Sequence, residues 1–512
     1  MRAPTDRQLL SRSRAVAASR AGLTGAHDAG YTVYLAILVV VIVAVPLLRT
    51  LVLALSNPVV LAAMTSPDGY RAVGVIAAIL AAGALLTART RGPVVPSPFL
   101  TEFLAGSGLP RSRTLGRQFL VTVVVTTLAT VTTSGLAVVA VLLDAPSVAV
   151  PGALLVLGSA AYAGVLAMLS LIGQSCPRRV TTPLALVILS GGMAVAFGLD
   201  ILTLTTPWGW LALLWQSLGT DSTITWWPAV ALALSPLAFL AAPALLNSLR
   251  LAELMAQSRR WQTIGTLVQT GDVAGATGAL RAPPTRGRHI RILFTGPLPV
   301  AILQRDLGAA RRFPARTALG SLVLFGAGWL SAQTGSAPAG VDWIAALAGS
   351  LLAYLAVGVF CDGLRHANEN ARSSVYGWSA VKMIGSHALL PVLACFIFGS
   401  AGTVVATSFG APVAAVAWWM LLSIFVVAVR VLDCAKGPMP IGLLLPIPTP
   451  VGDVAILNVI AWQADALIIV LTAAGALTVL HADTGPASAV WLTLCIGIVG
   501  ALAGRRIRAL TA

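Results

Sequence analysis

The chain has 512 residues, of which 57% are hydrophobic and only 10% charged, with a mean hydropathy of +0.90. Soluble domains carry about 25% charged residues, so the composition excludes a soluble globule and defines an all-α polytopic membrane protein. The net charge of +16 could serve a nucleic-acid partner, but the arginines fall in alternate loops, as membrane topology alone distributes them, and no such partner is expected.

Arg2, Arg7, Arg12, Arg14 and Arg20 precede an apolar run from Tyr31 that lacks a small-residue cleavage site, so the run reads as a first span rather than a signal peptide. A crossing needs about 20 apolar residues. Six spans are expected near 31–48, 72–87, 119–143, 148–172, 183–204 and 226–246. Six more follow near 317–334, 343–360, 383–406, 413–432, 454–480 and 487–502. The organisation expected is a first half over 1–249, a basic linker over 250–298 and a second half over 299–512. The shorter runs gain length from interfacial residues such as Arg49 and Arg71.

Between the halves, residues 250–316 hold eleven Arg against Glu253, Asp272 and Asp306. Such an excess beside span ends marks the cytoplasmic side. The loops after even-numbered spans agree: Arg89, Arg91, Arg111, Arg113 and Arg117 after the second, Arg365, Arg372 and Lys382 after the eighth, Arg505, Arg506 and Arg508 after the twelfth. Asp144, Asp200, Asp221, Asp342 and Asp483 occupy the other loops, so both termini are expected in the cytoplasm. The linker ends in a lead-in helix over 300–313, with Val300, Leu303, Leu307 and Ala310 on one face and Arg305, Arg311 and Arg312 elsewhere. That pattern predicts a helix lying flat on the membrane, broken by Pro314.

The chemistry begins with an exclusion. The only lysines are Lys382, followed by Met, and Lys436, followed by Gly, so no phosphate-binding loop ending in Gly-Lys-Ser/Thr is present. No H-E-x-x-H or G-x-S-x-G motif occurs, and Cys176, Cys361, Cys395, Cys434 and Cys495 are scattered, so neither a metal site nor a catalytic centre is expected. Asp465 lies about ten residues into the eleventh span, roughly 15 Å at 1.5 Å per residue, which predicts a site near the midplane. Asn458 and Trp462 precede it on the same helical stripe. An acid there serves either a substrate path or a polar anchor between helices, and desolvation favours its neutral form unless a partner compensates. Ala345, Gly349 and Ala353 form a small-residue face suited to close helix packing. His387 reads as a hydrogen-bonded helix residue rather than a proton relay, and Trp226, Trp227, Trp343, Trp418 and Trp419 as mostly interfacial.

Gln304-Arg305-Asp306 and the Arg311-Arg312-x-Pro314-x-Arg316 ending, followed at once by a span, resemble the connecting helix of ABC-type exporter permeases. The loops over 96–111 and 363–372 then take the place of that family's coupling helices, with Glu102, Arg111, Arg113, Arg365, Glu369 and Arg372 as the contacts implied. Gly92-Pro93 and Leu109-Pro110-Arg111 are similar to pieces of large actinobacterial permeases that fuse two six-span halves. The resemblance implies a permease subunit of the bacterial cytoplasmic membrane that has no ATPase activity or cofactor of its own. It also implies a separate cytoplasmic ATPase subunit, a dimer, which binds the ATP and Mg. The alternatives are a twelve-span secondary transporter of the major facilitator type, whose usual G-x-x-x-D-R-x-G-R-R loop is absent, or a membrane-bound transferase using Asp200 and Asp221.

Overall fold

The computed structural model describes residues 34, 37, 40–105, 108–219, 226–269, 273–280, 296–335, 342–369, 377–436, 439–445, 448–449, 452–453, 455–483 and 485–511. By its contacts the chain divides into two compact units, 1–266 with 276–280 and 267–275 with 281–512.

In the first unit a helix over Val45–Leu55 (α1) continues past the expected end of the first span and then bends by 75° into Pro58–Thr65 (α2). The break has a local cause, because the Asn57 side chain accepts from the Val59 amide at 3.0 Å and Pro58 takes the first helical position. Pro67–Thr87 (α3) starts the same way, with Ser66 as cap. Its alanine-rich face, Ala77, Ala78, Ala81 and Ala82, is buried and lets neighbouring helices approach closely. Next come Pro98–Ala105 (α4), the 34-residue Arg111–Asp144 (α5), Ala149–Ser175 (α6) and Arg178–Ala196 (α7). At 1.5 Å per residue α5 is about 50 Å long, so it extends beyond a hydrocarbon core of about 30 Å.

The fifth span was expected to reach 204, but α7 stops at Ala196 because Gly198, at φ +72°, turns the chain out of the helix. Asp200–Thr205 (α8) and Pro207–Gln216 (α9) follow as separate short helices. α9 buries Trp208, Ala212 and Leu214, and Trp215 donates its indole N–H to the Met64 carbonyl at 2.8 Å. The sixth span is Trp227–Ser248 (α10). Leu251–Gln269 (α11) then runs beneath the 88–97 loop and fixes it. Gln257 donates to the Arg89 carbonyl at 2.9 Å, Ser258 to Pro96 at 2.5 Å and Trp261 to Thr90 at 2.8 Å. A short helix, Val273–Ala279 (α12), follows.

The second unit comprises Leu298–Arg311 (α13), Pro314–Ala332 (α14), Asp342–Val357 (α15), Asp362–Glu369 (α16), Ala380–Thr407 (α17), Ala414–Cys434 (α18), Ala455–Asp483 (α19) and Gly485–Thr511 (α20). A two-residue antiparallel pair, Pro448–Thr449 with Gly452–Asp453, precedes α19. Close crossings require glycine: a β-carbon at Gly402 would strike the Phe325 carbonyl, and one at Gly349 would strike Ser331. The small-residue face of α15 therefore packs on α14, with Ala345 and Ala353 buried beside Gly349. Trp419 does not belong to an interfacial belt. It is 1% exposed, lies against Gly399 and donates to the Cys395 carbonyl at 3.0 Å, where α17 widens into a π-turn over Cys395–Gly399.

Among the described residues nine helices are long and apolar enough to cross a membrane, or eleven if each of two bent pairs counts as one span. The difference from twelve includes α14, which is absent from those helices yet packs against α15, α17 and α18. The second bent pair joins α15 to α16 through a 63° turn. Leu120, Val121, Val124, Val125 and Leu128 expose a continuous apolar face of α5, each by 49–62%. Water would not tolerate such a face, whereas lipid solvates it. The fold is that of an all-α, multi-pass membrane protein.

Candidate functional site

Two eight-residue helices, α4 and α16, stand where the coupling loops were expected. α4 presents Phe99 and Phe103 as a stacked pair with ring centroids 6.0 Å apart, both about half exposed, with Glu102 exposed between them. Its inner side is held by Thr101, which is buried and donates to the Ser97 carbonyl at 2.9 Å. Arg111 opens α5, where Asn247 accepts from the Ser112 amide at 2.9 Å, and Arg113 is exposed.

α16 is far more embedded. Leu364 and Ala367 are buried, Arg365 lies beside Cys434, and Asn368 donates to the Lys436 carbonyl at 3.5 Å. The two short helices are thus matched in length and place but not in exposure. Glu369 ends α16 without a described side chain, and Arg372 lies outside the described residues, as does Asp221.

Asp465 stands in a network of charges. Its Oδ1 pairs with Lys436 and its Oδ2 with Arg506 at 2.9 Å. Lys436 also reaches Asp433 at 3.3 Å and the Trp462 carbonyl at 2.9 Å, with its ammonium 5.2 Å from the Trp462 ring centroid. Asp433 in turn takes Arg430 at 3.3 Å and the Tyr354 hydroxyl at 3.2 Å. Arg430 donates twice to the Tyr354 carbonyl, at 2.9 and 2.6 Å, and lies 3.6 Å from that ring's centroid. Arg506 completes the set by donating to the Leu432 carbonyl at 3.1 Å.

Three cations and two carboxylates therefore tie α15, α18, α19 and α20 together. This corrects the midplane expectation: Asp465 lies level with the C-terminal ends of α18 and α20, because Lys436 follows α18 and Arg506 falls in the last turns of α20. Trp462 contributes its carbonyl and ring face, whereas among the described residues Asn458 has no hydrogen bond into the network.

A second polar cluster joins the lead-in helix to its neighbours. Asp306 of α13 and His387 of α17, 8% and 1% exposed, meet at 2.6 Å through Oδ2 and Nδ1. A β-carbon at Gly363 would strike both groups, so the start of α16 closes over them. Arg316 binds Asp362 through both guanidinium arms, at 2.5 and 3.1 Å, and holds the start of α14 to the same place. The lead-in helix is therefore docked as well as amphipathic: Ile302 and Asp306 face the protein while Val300 and Leu307 remain exposed. Sequence pattern alone pointed to Asp306 only as one acid among arginines, and to His387 only as a bonded helix residue.

Among the described residues no group of three His, Cys, Asp or Glu side chains could share a metal ion. Comparison of the chain with family models, with curated proteins and with solved structures finds no match. Fold and composition together define a multi-pass membrane protein.

Proposed function

We propose that the chain is the permease subunit of an ATP-driven exporter of the ABC type, in the bacterial cytoplasmic membrane with its basic end on the cytoplasmic side. A separate ATPase dimer, which binds the ATP and Mg, docks there. The observation that carries this reading is the pair of eight-residue helices, α4 and α16, one in each unit, α4 shortly after α3 and α16 directly after the bend that ends α15. A stacked aromatic pair beside an acid, as on α4, is the kind of anchor that fills a pocket on a partner.

α16 suits transmission. It is bonded to the end of α18 through Asn368 and the Lys436 carbonyl, and Lys436 belongs to the network that includes Asp465. A push on α16 is thereby shared by several helices. Both Asp465 oxygens are engaged, which supports an anchoring role in that linkage over direct contact with cargo.

The test is co-purification from cells that also make the ATPase. Phe99→Ser with Phe103→Ser should reduce recovery of the ATPase at least tenfold, and charge reversal at Glu102 and Glu369 together should also reduce it. Unchanged recovery in both variants, with normal amounts of the chain in the membrane, would place the dock elsewhere.

A further inference from the structure

The seam between α13 and α17 holds an open groove of about 310 Å³ that neither polar cluster uses. Leu298 and Pro299 form one wall, and Trp378, Val381 and Leu389 form the other. Lys382 stands at its edge. This lysine is in the first turn of the 28-residue apolar helix α17, the level at which a membrane's hydrocarbon gives way to headgroups. It is exposed, and among the described residues its ammonium has no acidic partner. The other lysine, Lys436, is by contrast fully engaged.

We propose that this groove binds an anionic phospholipid, with the phosphate on Lys382 and the glycerol and upper acyl chain along the apolar walls. Three observations select that occupant. First, the walls are almost wholly apolar, and Val381 and Leu389 on the same helix are 56% and 36% exposed, so the groove opens towards lipid rather than into the protein. Second, among the described residues the charge lining the rim is a cation without an acidic partner, which complements a phosphate and not a neutral headgroup. Third, Trp378, 41% exposed, places an amphipathic ring at the rim, where such rings favour the headgroup level. The volume is at the small end of ligand sites and fits part of a lipid rather than a whole soluble cargo molecule. Ser386 on the floor donates its hydroxyl to the Lys382 carbonyl and so fixes the first turn beneath the ammonium.

The groove also adjoins the lead-in helix junction, since His387, next in sequence to Ser386, is the residue that binds Asp306. A lipid seated there packs over the α13–α17 seam. This proposal does not depend on what the protein transports or on how transport is driven.

The experiment titrates the purified full chain, in neutral detergent, with dioleoyl phosphatidylglycerol or dioleoyl phosphatidylcholine and counts bound lipids by native mass spectrometry. The wild type should bind its first phosphatidylglycerol about fivefold more tightly than phosphatidylcholine, the preference that one interfacial cation supplies. Lys382→Gln should abolish that preference. Gly385→Leu should weaken binding of both lipids, because a side chain there enters the groove where no atom lies within 4 Å, and leucine improves the helix. Arg179→Gln, at an exposed arginine elsewhere, should leave the preference unchanged. Three results would each overturn the proposal: a preference that survives Lys382→Gln, an equal loss in Arg179→Gln, or displacement of the lipid by millimolar inorganic phosphate.

Discussion

Removing the Asp465 carboxylate distinguishes an anchor from a substrate contact, and its cost can be worked from the network. A fully buried ion pair that loses one partner costs about 3–5 kcal/mol, because a charge is left stranded. Asp465 is 26% exposed, and neither cation would be stranded. Lys436 keeps Asp433 and the Trp462 carbonyl, and Arg506 keeps the Leu432 carbonyl. The loss is then nearer to one or two charge-assisted hydrogen bonds in partial solvent, so Asp465→Leu should cost about 2 kcal/mol and Asp465→Asn about 1 kcal/mol. For a unit of this size, 2 kcal/mol corresponds to a fall in melting temperature of roughly 4–8 °C. Lys436→Met in the Asp465→Leu background should cost less than the sum of the single changes, with a coupling of about 1 kcal/mol. Thermal unfolding in detergent and transport by the proposed complex are the paired assays. An unshifted melting temperature in Asp465→Leu would sink the anchoring account, and altered transport with normal melting in Asp465→Asn would return the carboxylate to the substrate path.

The pair at 1% and 8% exposure is a more severe case: His387→Leu should strand Asp306 and destabilise by about 3–5 kcal/mol, whereas His387→Leu with Asp306→Leu should recover at least half of that. A denaturant midpoint series on the three variants would show it, and simple additivity would mean that the two groups do not interact. Gly402→Leu should prevent α14 and α17 from closing, because the Phe325 carbonyl occupies the space; chain that survives in the membrane at wild-type levels with unchanged melting would contradict that packing. Single cysteines along the lead-in helix should be protected from a water-soluble maleimide at 302 and reactive at 305 and 309, with uniform reactivity refuting a docked helix.

Much of the fold could be read from the sequence because its cause is local. Apolar run length located α3, α5, α6, α17, α18 and α20, and Pro314 marked the start of α14. Where the reading failed, short-range detail overrode hydropathy: Gly198 ended α7 early, and Asn57-Pro58 bends the chain between α1 and α2, beyond the first expected span. α14 was expected to span, yet it is not among the helices that are long and apolar enough to cross on their own, although it packs against α15, α17 and α18. The polar clusters were hidden for a different reason. Asp465 was conspicuous, but its partner Arg506 is 41 residues away, and Asp306 and His387 are separated by 81. No periodicity relates residues at such distances, so their pairing is visible only once the helices are packed. Arg430 shows the same limit. It stands near the end of an apolar run, where a charge suggests a loop, yet it is buried and donates to the Tyr354 carbonyl.

The proposed exporter function is tested most directly by purifying the affinity-tagged full chain in mild detergent from membranes of the organism that makes it, and then measuring ATP hydrolysis of the purified material. A permease subunit of this type predicts a co-purifying phosphate-loop ATPase, two copies per transport unit, with vanadate-sensitive hydrolysis that disappears when α4 loses Phe99 and Phe103. Recovery of the chain without such an ATPase, together with solute movement in proteoliposomes driven by an ion gradient alone, would contradict it.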